Sequence, residues 1–450
     1  MSRVAKLVAL VVVLVAIAAV AWLLLRSGDP TAFARGKRVD LADFTGANPT
    51  GVPSSLAQAD PVARGQYLAR AADCAACHTV PGGKPFAGGL AFKLPMIGTI
   101  YSTNITPDKD TGIGAWSDDE FVRVFHDGIG KGGEHLYPAF PYPSYALMTR
   151  DDALAIKSYL FSLKPIKYTP PPNDVAFPFN QRFLMTFWNV LFKPGHRFRP
   201  NADQPAQWNR GAYLVEALGH CGDCHTPRNI LFGLKSQQKF AGALIQGWKA
   251  YNITPDPKWG IGEWSDEQLQ GYLAHGHADG RSSASGPMAE VVDNSLRFLS
   301  QDDISAMAAY LRSVPSRAAR GQLAVAQSPA GQPQPPKEVR ADSGGGLLGL
   351  RIFEGACIGC HSFDGSGAVS KYATLLGTRA VNDPAGTNAA QALLQGTHVH
   401  TPLGKEFMPG FGNGYSDAEI ASVVNFVTGR FGTSPSALTP DEVAKRRQEN

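Results

Sequence analysis

The alternation of apolar and polar positions divides the chain into one long apolar run and a series of short amphipathic segments. Leu7 to Leu25 passes through nineteen positions without a charged or strongly polar side chain, behind Arg3 and Lys6. As a helix this run would extend ~28 Å, close to a bilayer core. It therefore predicts an N-terminal membrane-spanning helix (residues 1-30 with its flanks), with the positive end cytoplasmic and the body exported. A cleaved signal competes, since Ala32-Phe33-Ala34 offers small residues around a cut site, but the length of the run favours an anchor. Further on, Met148 to Leu160, Leu299 to Leu311 and Tyr415 to Phe426 carry helical apolar spacing, the first two behind capping residues. Shorter helices are predicted at Arg64 to Leu68, Arg210 to Leu214 and Gly349 to Phe353, and helix starts at Ser117 and Ser265, each followed by acidic residues. In Phe177 to Phe192, the positions Phe179, Phe183, Phe187 and Leu191 recur every four residues, an aromatic stripe expected to be buried as a connector, with a docking surface as the alternative. Ala324 to Gly346 is rich in Pro, Gln, Gly and Ser and reads as a linker, and the polar stretch after Gly432 as a poorly ordered tail.

Composition narrows the class. Of 450 residues, 44% are hydrophobic and 18% charged, too apolar and too weakly charged for a disordered chain. A formal charge of +4, with no arginine-rich patch, excludes nucleic acid as the partner.

The six cysteines bring in the chemistry. They occupy three copies of one pattern: Cys74-Ala-Ala-Cys77-His78, Cys221-Gly-Asp-Cys224-His225 and Cys357-Ile-Gly-Cys360-His361. Two thiols spaced to add to two vinyl groups, with an imidazole directly behind them for the iron, is the pattern of covalent c-type haem attachment. Three haems are expected, with His78, His225 and His361 as proximal ligands. A zinc site does not require histidine after the second cysteine three times over, and a thioredoxin-like pair is expected once within a βαβ unit. Export agrees, because c-type haem is attached outside the bacterial cytoplasm.

A repeat underlies the pattern. Asn104-Ile-Thr-Pro-Asp108 follows His78 by 26 residues and Asn252-Ile-Thr-Pro-Asp256 follows His225 by 27, and both lead into Gly-Ile-Gly, one residue, then Trp-Ser-Asp. The third copy lacks this segment. Each copy reads as helix, haem motif, long loop and closing helix, which is the cytochrome c fold. The expected architecture is all-α: three tandem cytochrome c domains behind a transmembrane helix, the first two a close repeat and the third diverged. The boundaries read from the pattern are 57-168, 205-320 and 347-432, separated by the connector 169-204 and the linker 321-346, with a tail at 433-450.

At this point the chain resembles the membrane-anchored triple-haem cytochrome c subunits of bacterial periplasmic dehydrogenases. The resemblance rests on the three haem motifs, Tyr101 to Pro107 with Gly112 to Trp116, Leu136-Tyr-Pro-Ala-Phe-Pro-Tyr142, and Cys221 to Asn229, and covers nearly the whole chain. It implies a non-catalytic electron-transfer subunit on the periplasmic side of the inner membrane. The implied partner is a catalytic subunit, either a flavin-dependent alcohol, gluconate or sugar dehydrogenase or a molybdenum hydroxylase acting on aldehydes or N-heterocycles, the latter favoured by the aromatic connector. A small iron–sulfur subunit and ubiquinone or a terminal acceptor complete the implied set.

The distal ligands are sought among seven methionines, since a thioether opposite histidine raises the reduction potential. Met408 lies 47 residues after His361, and Met288 lies 63 after His225 and 36 after Asn252. The same 36 residues from Asn104 reach Phe140, whose ring cannot bind iron. Met148 is the first candidate for that iron, His135 the second and Met96 the third, with an open position as the remaining alternative. His126, His220, His275, His277, His398 and His400 are read as hydrogen-bonding residues; Trp116, Trp264 and Arg228 as packing or propionate-holding ones. Two other classes stay open: a self-contained haem enzyme, a peroxidase or sulfur-compound dehydrogenase using an open first haem, and a cytochrome subunit of a terminal oxidase.

Overall fold

The computed structural model describes residues 28–94, 96–319, 321, 325, 346–402 and 404–449. The apolar run at 7–25 and most of the linker at 321–346 lie outside the described residues. Among the described residues no helix is long and apolar enough to cross a membrane.

Three helix pairs organise the chain. The opening helices Pro61–Ala71, Ala206–Tyr213 and Gly346–Ile352 each cross a closing helix, Arg150–Ser162, Gln301–Ser313 and Asp417–Phe431 respectively. A glycine sits at each crossing. A Cβ on Gly65, Gly211 or Gly349 would overlap the carbonyl oxygen of Ala155, Ala306 or Ser422, so hydrogen is the largest substituent these backbones admit. The helix starts follow the predicted caps. Ser117 and Ser265 form capping boxes with Glu120 and Gln268, while Thr149 and Ser300 accept from the N–H groups of Asp152 and Asp303.

The all-α expectation is corrected: nine strands form four small antiparallel sheets among the described residues. Ala91–Leu94 pairs with Gly98–Tyr101, which also takes Asp174–Val175; Ala243–Ile245 pairs with Trp248–Ala250; His277–Ala278 with Ser282–Ser283; and Thr397–Thr401 with Gly404–Met408. These hairpins lie in stretches where helical spacing is absent. In Thr397-His-Val-His-Thr401 every second residue is β-branched and Val399 is buried, a two-residue period suited to a half-buried strand.

Two further expectations change. The tail contains a helix, Pro440–Glu449, held by buried Leu438 and Val443 and by Arg447 on Asp417. The connector helix Leu184–Phe192 is not enclosed: Phe183, Phe187 and Val190 are 61%, 66% and 63% exposed, and its inward residues are Phe192 and Trp188, whose indole donates to the Leu231 carbonyl.

One apolar cluster runs through both of the first two helix pairs, from Leu68 and Ile156 to Leu214, Trp264 and Leu311. The third pair has two small clusters of its own and meets the second through polar groups and through Val399 and Tyr372, which join the first cluster.

Candidate functional site

Each histidine of a haem motif ends a short helical turn, Cys74–His78, Gly222–His225 or Ile358–His361, placed directly behind an opening helix. In the second and third copies the join is a π-helical stretch, Leu214–Leu218 and Phe353–Cys357. The extra residue per turn rotates the thiols relative to the opening helix.

The three imidazoles are held alike. Nδ1–H of His78 donates to the Thr103 carbonyl at 2.7 Å, that of His225 to Tyr251 at 2.6 Å and that of His361 to Ala373 at 2.6 Å. This tautomer leaves Nε2 as the lone-pair nitrogen, which is what an iron ligand must offer. Burial pushes His225 down to about 4, and His78 and His361 in the same direction, so the rings stay neutral. All six cysteines are free of disulfides. Burial pushes the thiols of Cys74, Cys77 and Cys221 up to about 12 and those of Cys224 and Cys357 up to about 11. Unpaired protonated thiols beside a neutral imidazole with its Nε2 unprotonated fit a covalently attached haem. Among the described residues no three His, Cys, Asp or Glu side chains converge as a zinc site would require.

The repeated Asn-Ile-Thr segments are clamps for the loop that supplies the carbonyl. Asn104 Oδ1 accepts from the N–H and Oγ1 of Thr106 (2.9 and 2.7 Å), and its Nδ2 donates to the carbonyls of Ile166 and Tyr168 behind the closing helix. Asn252 does the same with Thr254 and Arg317. The carbonyl-bearing residues Thr103 and Tyr251 directly precede these asparagines, so the clamp sets where the His78 and His225 imidazoles point.

The first two motifs adjoin. Cys224 and Asp73 both bear electrostatically on Cys77, and Asp73 itself is buried, with one carboxylate oxygen unpartnered and a left-handed backbone at φ 52°. Tyr145 joins them: its hydroxyl donates to the Ala72 carbonyl at 2.6 Å and its ring meets that of His220 edge-on at 5.5 Å. Ser144 donates to Asp223, which also holds Arg228 at 3.1 Å.

The predicted distal residues are placed as follows. Met148 is fully buried in the shared apolar cluster, its carbonyl taking a bond from His126 Nε2. Phe140 packs on Phe125 and Tyr145 at 5.6 and 5.3 Å. His135 engages Thr186 through Nε2 at 3.0 Å, leaving a buried Nδ1 without a partner, and Met96 is 89% exposed in a turn. Met288 lies on the helix Pro287–Asn294, which packs against both the Cys74–His78 turn and the Thr397–Thr401 strand. Met408 ends the Gly404–Met408 strand, where a loop was expected. A cavity of about 430 Å³, lined by Gly286, Glu290, His398, Phe407 and Met408 among others, lies between these two elements.

The sequence reading missed a reciprocal pair across the two repeats. The Tyr67 hydroxyl donates to Asp303 at 2.6 Å and that of Tyr213 to Asp152 at 2.6 Å, each opening helix thus bonding to the other copy's closing helix. Asp303 also accepts from Arg210 at 2.6 and 2.8 Å. The repeat alignment held the signal, since both tyrosines and both aspartates occupy matching positions.

Comparison with known proteins agrees with this geometry. The cytochrome c family model matches residues 62–164 and 347–430. The chain is 38% identical to the gluconate 2-dehydrogenase cytochrome c subunit of Pantoea cypripedii, over 86% of this chain and 90% of that one. It is 37% identical to the fructose dehydrogenase cytochrome subunit of Gluconobacter japonicus, over 89% and 85%. A nicotinate dehydrogenase subunit of Pseudomonas putida is 40% identical over 88% of this chain, which spans only 32% of that longer protein. Attachment motifs with one repeated imidazole geometry, together with relatives matched over most of their length, show that the chain belongs to the cytochrome c subunits of dehydrogenase complexes.

Proposed function

We propose that this chain is a triple-haem electron relay, located in the periplasm, that takes electrons from the catalytic subunit of a dehydrogenase and passes them to ubiquinone or another terminal acceptor. The observation that carries the count of three is the shared imidazole geometry: His361 in the diverged copy is held as His78 and His225 are. When bound, c-type haem supplies an iron that cycles by one electron. The protein's part is positional. The three carbonyls orient the imidazoles and raise their basicity, and the six cysteine thiols would anchor the macrocycle edges.

We assign Met288 and Met408 as the distal thioethers of the second and third sites and Met148 as that of the first. That last assignment rests on the chain: Phe140 stands at the counted position and Met148 is the nearest thioether along the sequence. Replacing Met148 by leucine should abolish one methionine-to-iron charge-transfer band; unchanged intensity would sink the assignment. For the catalytic subunit, a molybdenum hydroxylase with a small iron–sulfur subunit is favoured over a flavoprotein. Nicotinate is an N-heterocycle, and a relative at 40% identity is named for it.

The test is direct. Intact mass of the chain expressed with a c-haem maturation system should show three haems, and Cys221→Ala with Cys224→Ala should remove one. Affinity capture from the native host should return a dehydrogenase large subunit. Peroxide turnover by the isolated chain, with no large subunit captured, would instead make it a self-contained haem enzyme.

A further inference from the structure

Arg379 belongs to the third copy but reaches into the second. It is 3% exposed; Nη1 donates to the Asn252 carbonyl at 3.0 Å and Nη2 to that of Trp259, while its Nε is buried without a hydrogen-bond partner. The guanidinium lies over the Tyr251 ring, 4.8 Å from its centroid. Tyr251 is the residue whose carbonyl holds His225. The groups that bear on Arg379 are the hydroxyls of Tyr251 and Tyr272. The neighbouring carboxylate, Asp383, is taken by Lys249 at 2.7 Å in a pair of its own. Arg379 is thus a buried cation beside the second attachment site, bonded to neutral carbonyls, with one donor to spare. A guanidinium keeps its charge when buried, so it demands an anion.

Haem brings two carboxylates. We propose that Arg379 is the counter-ion of a propionate of the haem attached at Cys221 and Cys224, a positioning residue lent by the third copy that raises the second haem's potential and ties its geometry to the docking of the third. This rests on the triple-haem reading above. The first copy has Thr103 where the second has Tyr251, so the device belongs to the second site. A positive charge at the propionate edge favours the ferrous state, whose net charge is lower.

The experiment is a redox titration of the full chain carrying its haems. Arg379→Gln should shift the reduction equilibrium of one haem about tenfold towards oxidation, about 59 mV for a one-electron couple, and leave the other two in place. The wave that moves should be the one missing from the Cys221→Ala, Cys224→Ala variant. Arg351→Gln removes another cation of the third copy, an exposed one on its opening helix Gly346–Ile352, and should leave the second haem's wave in place. Arg379→Lys keeps the charge but loses the planar fork, and should shift the same wave in the same direction by less. It carries the test if the Gln variant does not accumulate. No movement in either Arg379 variant, equal movement of the second haem's wave in Arg351→Gln, or movement of a wave that survives loss of Cys221 and Cys224 would overturn the proposal. An intact mass showing no haem at Cys221 and Cys224 in the unaltered chain would instead overturn the reading beneath it.

Discussion

His277 shows how much a single side chain can report at the residue scale. It is buried between Asp279 on Nε2 (2.7 Å) and Ser283 on Nδ1 (2.9 Å), with the Tyr372 ring 4.8 Å away. Burial lowers its pKa, Asp279 raises it and Lys371 lowers it, and the net direction is down. The unfolded chain therefore takes up a proton at about pH 6.5 that folded His277 still refuses. Its contribution to stability is complete above that pH and is lost as pH falls towards the lower folded value. In His277→Gln the loss of unfolding free energy between pH 7.5 and 5.5 should be shallower than in the parent, measured by urea titration at each pH. Equal slopes would show that His277 does not carry the effect. The sequence reading placed this histidine correctly as a hydrogen-bonding residue. Its bonding partners Asp279 and Ser283 lie close along the chain, whereas the ring of Tyr372 that covers it comes from the third copy and was out of reach.

At the scale of elements, the helix crossings give the clearest expectation. Gly65 faces the Ala155 carbonyl so closely that Gly65→Ala must push the two helices apart or strain them. A cost of about 1–3 kcal/mol is expected from overpacking, offset only in part by the better helix propensity of alanine. Urea unfolding should show it, whereas Gly133→Ala is a poor control because its φ of 85° is itself unfavourable for alanine. Gly195, with open space around its Cβ direction and no left-handed φ, is the matched comparison and should change little. The helices at these crossings were legible from apolar spacing and caps. The strands were less so, since two to five residues of alternation make a weak pattern beside repeated helical ones. The exposed face of the connector was also illegible, because an aromatic stripe looks the same whether a neighbour covers it or not.

For the whole molecule, the contrast between the two joints matters most. The first and second copies share one apolar cluster and exchange Tyr–Asp bonds. Among the described residues the third contributes only Val399 and Tyr372 to that cluster and is otherwise docked through polar groups, foremost Lys249–Asp383, 1% and 0% exposed, with Asn388 bonded both ways to the Lys249 backbone. Removing Asp383 strands a buried ammonium. Asp383→Ala should cost about 3–5 kcal/mol at this joint, because breaking one partner of a buried pair leaves an uncompensated charge. The third copy should then separate, seen as an increased radius of gyration in solution scattering, while the first two still unfold together. An unchanged radius with a single shifted transition would mean that the joint does not rest on the pair.

What the sequence alone determined is what depends on neighbours close along the chain: the repeated Cys-x-x-Cys-His motifs, the capped closing helices and the duplication. These are read from spacing, because two thiols and an imidazole must meet one macrocycle and a helix must bury one face. Tertiary structure alone decided what depends on groups far apart in sequence. It brought the Cys74–His78 and Cys221–His225 turns together, exchanged Tyr67 and Tyr213 between the repeats, and set Arg379 of the third copy against Tyr251 of the second. The physical reason is that a buried polar group must find a partner wherever the fold supplies one, and no local pattern in the chain records which distant residue that will be.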